Sequence, residues 1–331
     1  MTARPIVWPW ALALLLVGAL GTLLGTAVGS QGWEVWWGAA QDPVMLQILR
    51  DIRLPRSLGA WLGGALLGLS GAIAQGLFRN PLADPYLLGS ASGASLGVSL
   101  FLSLFGGTVL ANGWWPRLGM TGAAFAGALL AVVLTLLLAR GVQQTLRLLL
   151  AGVVVGVVLG AMASLLALFE PGVLQAMQGF MLGSTAFVGW AACGLMGLAL
   201  LLTLLLAWAL APVLDALTLG EATAQSLGVP LRTARLWLVA AMSLATAAAV
   251  AQMGLIAFVG LAAPHLVRSW VRSTHGGVLL LSALTGGALL LLADVLARGL
   301  LAPQDLPVGV LTAVLGGVYL LWRMRPGRGQ P

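Results

Sequence analysis

The sequence predicts an all-α polytopic membrane protein of ten transmembrane helices with both termini cytoplasmic, and three observations predict it. Hydrophobic residues make up 60% of the 331 and charged residues only 8%, with a mean hydropathy of +1.03, which leaves too little polar surface to coat a water-soluble globule. Apolar runs of about 20 residues, each enough to cross ~30 Å of hydrocarbon, recur along the whole chain. All sixteen basic residues are arginine, and they fall unevenly on the two sides that such runs define.

In order, the predicted spans cover 6–29, 57–78, 87–105, 117–139, 147–169, 187–211, 232–252, 254–272, 277–297 and 308–323. The first run is too long for a cleaved leader, and no clear small-x-small site precedes the polar loop, so it reads as a span. Pro55 suits the first turn of the second helix. The two longest polar connections, roughly 30–56 and 212–231, have no room for a soluble catalytic domain. Residues 1–331 therefore read as a single membrane domain.

With the N-terminus inside, Arg4, Arg79, Arg140, Arg147, Arg232, Arg235, Arg268, Arg272, Arg323, Arg325 and Arg328 fall on the inner side; Arg50, Arg53, Arg56, Arg117 and Arg298 fall outside. Loops near helix ends collect positive charge on the cytoplasmic side, and an even helix count returns the C-terminal "WRMRPGRGQP" inside. The isoelectric point near 11.4 then reports orientation and contact with anionic lipid. No aromatic-basic motif points to nucleic acid. Trp8, Trp10, Trp33, Trp36, Trp37, Trp114 and Trp115 lie near predicted interfaces, where amphipathic rings settle.

Several chemistries find no support in the residues. The chain contains no lysine, so it has no phosphate-gripping Lys of a G-x-x-x-x-G-K-[ST] loop, and an ATP-driven process would need an ATPase on another chain. Cys193 lies inside a predicted helix and reads as a small buried apolar residue. His265 and His275 have no neighbours at metal-ligand spacing, and neither a Ser/His nor a paired-carboxylate site is visible. The chain is expected to hold no metal or cofactor and to catalyse no reaction.

Small residues carry more signal. Gly89, Gly93 and Gly97 repeat at intervals of four, as do Gly152, Gly156 and Gly160, and each set forms one helical stripe of the kind that lets backbones approach in lipid. Packing within the chain is the simpler reading of the first stripe. For the second, a subunit interface or pathway wall stands beside it. Asp294 is the one carboxylate well inside an apolar run, a default candidate for function; Arg298 follows at i+4 in the favourable order, so mutual neutralisation is preferred to a proton relay. "RLPR" (53–56) before "AIAQ" (72–75) is echoed by "RTAR" (232–235) before "AVAQ" (249–252). The two units enter from opposite sides, as a candidate inverted repeat would.

Two polar stretches stand out. "LRDIRLPRS" crowds Arg50, Arg53 and Arg56 on the outer side against the orientation rule. They read either as arginines snorkelling to the interface or as a docking patch for an acidic soluble partner. "GEATAQSLGVPLR" (220–232) interrupts the apolar pattern with one short helix bracketed by Gly220 and Gly228. Glu221 occupies its first turn, where the helix dipole favours an anion, and Leu227 is an apolar anchor suited to a partner's groove.

Four segments in order, "RLPRSLGAWLGGALLGLSGAIAQGLFRNPLADPYLLGSASGASLG" (53–97), "GEATAQSLGV" (220–229), "GLIAFVGLAAPHLVR" (254–268) and "LLADVLARGLLAPQDLPVGVLTAVLGG" (291–317), resemble the permeases of bacterial ABC importers for iron chelates and vitamin B12. The resemblance implies a permease of the cytoplasmic (inner) membrane working as a homodimer with two ATPase subunits, which hold ATP and Mg, and a periplasmic binding protein. It implies a cytoplasmic coupling segment at about 215–232, with Leu219, Gly220, Glu221, Ala222, Gln225, Leu227 and Gly228 against the ATPase. It places Arg53, Arg56 and Arg298 opposite binding-protein carboxylates, Asn80 and Leu82 at one inner gate, and Thr145 and Leu146 at another, Leu146 standing where the B12 permease has a small polar residue. It further implies that "GVLQAMQGFMLGS" (172–184) is a short outer helix and that the helix carrying Gly152, Gly156 and Gly160 lines the path at the dimer axis. Cargo would be a ferric siderophore, haem or cobalamin. An ion-coupled secondary transporter is the alternative, and it would need buried ionisable or broken-helix sites.

Overall fold

A computed structural model describes residues 7–29, 32–33, 42–105, 114–139 and 145–323. Its helices are α1 (Val7–Thr26), α2 (Pro43–Ile48), α3 (Leu54–Phe78), α4 (Ser90–Phe105), α5 (Trp114–Leu138), α6 (Thr145–Phe169), α7 (Pro171–Leu182), α8 (Trp190–Ala209), α9 (Ala211–Thr218), α10 (Glu221–Ser226), α11 (Leu231–Met253), α12 (Val259–Trp270), α13 (His275–Gly299) and α14 (Val308–Arg323). Among the described residues, the helices α1, α3, α5, α6, α8, α11 and α13 are long and apolar enough to cross a membrane; α4 and α14 are apolar but shorter. One feature departs from the all-α expectation: β1 (Val28–Gly29) pairs antiparallel with β2 (Gly32–Trp33). Arg4, Arg140, Arg325, Arg328, Trp36 and Trp37 lie outside the described residues, as do the side chains of Trp33, Trp114, Trp115, Arg117, Thr145 and Arg323.

The predicted spans each fall on a helix, but the one expected at 254–272 is only partly helical. Gly254, at φ 72°, ends α11, and a Cβ there would lie 2.2 Å from the Phe180 carbonyl. The chain then runs without regular structure to Phe258, itself left-handed at φ 69°, before α12 begins. Twelve residues rise only about 18 Å, too little for the ~30 Å of a bilayer core. Backbone polar groups at such a break need partners where no water is present. Leu255 N–H donates to Phe180 O at 3.0 Å, and the Tyr86 hydroxyl donates to Ile256 O at 3.1 Å.

Helix α3 is the axis of the fold. Pro55 sits in its first turn, and Arg79, left-handed at φ 49°, closes its C-terminus by donating to the carbonyls of Gln75 and Gly76. Along its length, glycines bring backbones together. A Cβ on Gly64 or Gly68 would meet the Gly286 or Ser282 carbonyl of α13 at 2.3 or 2.2 Å, and one on Gly71 would meet Gly260 O of α12 at 1.6 Å. Such closeness suits association in lipid, where dispersion replaces the hydrophobic effect as the driving force. Leu66, Leu69 and Ile73 fill the remaining volume of this core. Gly93 and Gly97 do the same between α4 and α5, against Gly127 O and Ala123 O, so the first predicted stripe is packing within the chain.

Candidate functional site

At one end of the bundle α9 and α10 form a compact step. Leu214 and Leu217 anchor α9 in the core, and Ala224 anchors α10. Gly220 turns the chain between them at φ 102°, a conformation that glycine adopts without steric cost. Glu221 sits in the first turn of α10, as the sequence predicts. Its carboxylate is not free, however: it pairs with Arg235 of α11 at 2.6 Å and with Arg79 at 3.5 Å. With Arg235 buried, Glu221 is an internal fastener of the step. The outward face carries Ala222, Gln225 and Gly228, with Leu219 and Leu227 each 64% exposed.

The adjoining "RNPLADP" loop follows α3. Asn80 Oδ1 accepts from Leu82 N–H at 2.9 Å, and Asp84 caps the next short turn, Pro85–Leu88, by accepting from Tyr86 N–H. Burial pushes the Asp84 carboxyl above the ordinary carboxylate range, opposed by that backbone bond. Asn80 and Leu82 are exposed, and so is Leu146 at the start of α6; the Thr145 side chain lies outside the described residues.

The second glycine stripe is a seam within the chain. A Cβ on Gly152 would meet Leu87 O at 2.1 Å, while Gly156 and Gly160 face Gly89 and Ser92 at 3.7 and 3.5 Å. The stripe thus seats α6 on the turn after α3 and on α4. The close backbone approach is at Gly152, while Gly156 and Gly160 stay half-buried with only ordinary contacts. What α6 presents outward is Val153, Val154, Val157 and Val158. The "VVVGVV" doublets between the glycines are the sequence signal for that face.

At the opposite end, the arginines expected to meet a partner are mostly committed inside the chain. Arg298 is 3% exposed; it pairs with Asp294 at 2.6 Å and donates to Gly25 O at 2.8 Å and to Ser57 Oγ at 3.1 Å. Arg53 is buried and donates to Thr26 O at 3.2 Å. Arg56, largely covered, lies 3.5 Å from Asp294 and 2.8 Å from the half-exposed Asp305. Thr185 donates its hydroxyl to Asp294. The Asp294–Arg298 neutralisation expected from the i+4 spacing is therefore present. Within the chain Arg298 is held by Asp294, Gly25 O and Ser57 Oγ, and Arg53 by Thr26 O, partners that guanidiniums buried this deeply need. Asp305, on the loop after α13, was not singled out by sequence reasoning; it is one carboxylate in "LAPQDLP" with no periodicity to mark it. Arg50 is the arginine of this cluster that remains open, at 84% side-chain exposure.

These two ends, joined by α3 and α13, can be set beside known proteins. A family model described as the FecCD transport family matches residues 11–325. The chain belongs to the FecCD transport family. It is 39% identical over 326 residues to the hemin transport system permease protein HmuU of Yersinia pestis, covering 96% of this chain and 95% of that one. Over 317 residues it is also 39% identical to the vitamin B12 import system permease protein BtuC of Salmonella schwarzengrund, covering 95% and 94%. A solved structure of an inward-facing metal-chelate type ABC transporter is similar at 29% identity with a TM-score of 0.83, covering 95% of this chain and 99% of that one. This FecCD chain is accordingly a multi-pass membrane permease of the ABC importer type, a transport subunit. The ion-coupled alternative gains no support: the buried carboxylate it would use, Asp294, is paired, and at the helix break before α12 Leu255 N–H and Ile256 O are bonded within the chain.

Proposed function

We propose that this permease imports a metal chelate, a haem, a cobalamin or a ferric siderophore, across the bacterial cytoplasmic (inner) membrane as a homodimer. Two ABC ATPase subunits holding ATP and Mg drive it, and a periplasmic binding protein delivers the cargo. In this reading ten segments span the bilayer, both termini are cytoplasmic, and the 215–232 step faces the ATPase. The observation that carries it is the α9–α10 step: the exposed Leu219 and Leu227 flank a short helix that carries Gln225 and is fastened by Glu221, at the end that also carries Arg79, Arg232 and Arg235. A rigid apolar knob on a polar step is a recognition element for a groove. Supporting the cargo class are the names of the two relatives, one for hemin and one for vitamin B12. Asn80, Leu82, Thr145 and Leu146 are proposed to gate the path, and the outward valines of α6 to face the dimer axis.

The test is co-purification. Tagged wild-type permease should bring down an ATP-hydrolysing subunit, and Leu219→Asp with Leu227→Asp should abolish that capture while membrane expression is retained. Capture unchanged in the double variant would refute the assignment of this face. Binding of hemin, cyanocobalamin and ferrichrome by the cognate binding protein selects among the cargoes; binding none of them would refute the class.

A further inference from the structure

The Asp215–His275 pair joins the coupling step to α13, as Glu221–Arg235 joins it to α11. Helix α13 starts at His275 with Thr274 in the capping position, yet Thr274 makes no side-chain cap bond. The cap comes from elsewhere in the chain. Asp215 Oδ1, on α9, accepts from His275 N–H at 2.9 Å and lies 2.7 Å from His275 Nδ1. One carboxylate thus satisfies an orphan donor of the first turn, sits where the helix dipole favours an anion and holds the imidazole. Packing around it is close. A Cβ on Gly276 would meet Trp208 Nε1 at 3.2 Å and Ala211 at 3.7 Å, and one on Gly76 would meet the His275 ring at 3.2 Å. The α8–α9 junction, the last turn of α3 and the first turn of α13 therefore meet at this pair.

From there α13 runs as one uninterrupted helix of 25 residues, about 37 Å at 1.5 Å per residue. Its other end is fixed as firmly: Arg298 grips the end of α1 through Gly25 O and α3 through Ser57, and Asp294 takes the Thr185 hydroxyl just beyond α7. A displacement of α9 cannot be absorbed at a loose joint, because both ends of α13 are clasped by charge-assisted bonds, the stronger kind.

We infer that Asp215 and His275 are positioning residues for energy coupling: they fasten the ATPase-facing step to α13, so that movement of the step reaches the Asp294–Arg298 end. The inference rests on the proposed ATPase contact at α9–α10. Its own content is that this pair, apart from the exposed Leu219 and Leu227, sets how strongly the two faces are linked.

The experiment uses the permease with its ATPase and binding protein reconstituted in lipid vesicles, reading ATP hydrolysis with and without the binding protein. Asp215→Ala is expected to lower the stimulation by the binding protein, measured per captured ATPase subunit, at least about fivefold, the low end of a typical coupling between sites. Asp215→Asn keeps an acceptor oxygen for the His275 N–H and should restore most of the stimulation, whereas His275→Ala keeps the cap and should lie between. Wild-type stimulation in Asp215→Ala overturns the inference. So does loss of ATPase capture in both Asp215 variants, which would make the residue a support for the docking face alone. Failure of the wild-type permease to capture any ATPase would instead count against the proposed function, and is distinguishable because no variant enters it.

Discussion

Replacing Asp294 with alanine isolates the buried charge network and asks whether it is scaffold or machinery. The carboxylate is fully buried and faces two guanidiniums, Arg298 at 2.6 Å and Arg56 at 3.5 Å. Removing one partner of a buried pair typically costs 3–5 kcal/mol because a charge is left uncompensated. Arg298 keeps its bonds to Gly25 O and Ser57 Oγ, and Arg56 keeps Asp305, so the lower end, about 3 kcal/mol, is the expected figure. That is roughly a 150-fold change in the folded-to-unfolded ratio at about 1.4 kcal/mol per tenfold. Arg298→Ala should cost less, since Asp294 retains Arg56 and Thr185. The double change Asp294→Ala with Arg298→Leu should recover much of the loss, as neutral replacement of a buried pair often does. The assay is the thermal midpoint of the detergent-solubilised monodisperse protein, followed with membrane expression. Wild-type stability in Asp294→Ala, or a double variant no better than the single, refutes the network as scaffold. A stable Asp294→Asn protein that has lost uptake would refute it from the other side, by restoring the proton-relay role.

Two more outcomes follow from geometry. Gly152→Ala must push Leu87 O from a 2.1 Å approach and should cost about 1–3 kcal/mol, the usual range for overpacking, whereas Gly156→Ala meets only ordinary contact at 3.7 Å and should be near neutral; equal thermal midpoints for the two would refute the seam. Asp305→Asn removes the exposed competitor of Arg56; if Arg56 meets an acidic binding protein, association should quicken, with a salt dependence reaching ~8 Å at physiological ionic strength, and an unchanged on-rate would leave Arg56 as scaffold.

Element positions were legible because the bilayer imposes length. A run of apolar residues near 20 has few other fates, and the predicted spans fall on helices from α1 to α14. The break before α12 was not legible, since Gly254 sits in a row as apolar as any span, and only the carbonyl of Phe180 beside it makes a side chain intolerable. The site divides in the same way. Glu221 in a first turn and exposed Leu227 follow from local pattern, as does Asp294 with Arg298 at i+4. The partners of Arg53, Arg56 and Glu221 lie 27, 249 and 14 residues away in sequence by their numbers, and no spacing rule reaches across such gaps. The glycine stripe on α6 was legible only as a stripe. Periodicity tells which residues share a face, but what covers that face is decided by the neighbouring helix.

The main-chain bonds around the helix break set a limit on how this protein can diversify. Ser184 N–H donates to Met253 O, Leu255 N–H to Phe180 O and Gly309 N–H to Gly183 O, so the end of α7, the link from α11 to α12 and the start of α14 are sewn together by peptide groups. Backbone donors and acceptors are the same whichever side chains they carry. Gly183, Gly254 and Gly309 are bound to stay glycine there, because a Cβ on each would meet a carbonyl oxygen at 2.2–2.4 Å, whereas the other side chains beside the seam can exchange while the frame keeps its shape. Three separate segments become a chassis that tolerates change in the side chains beside it without rebuilding the fold.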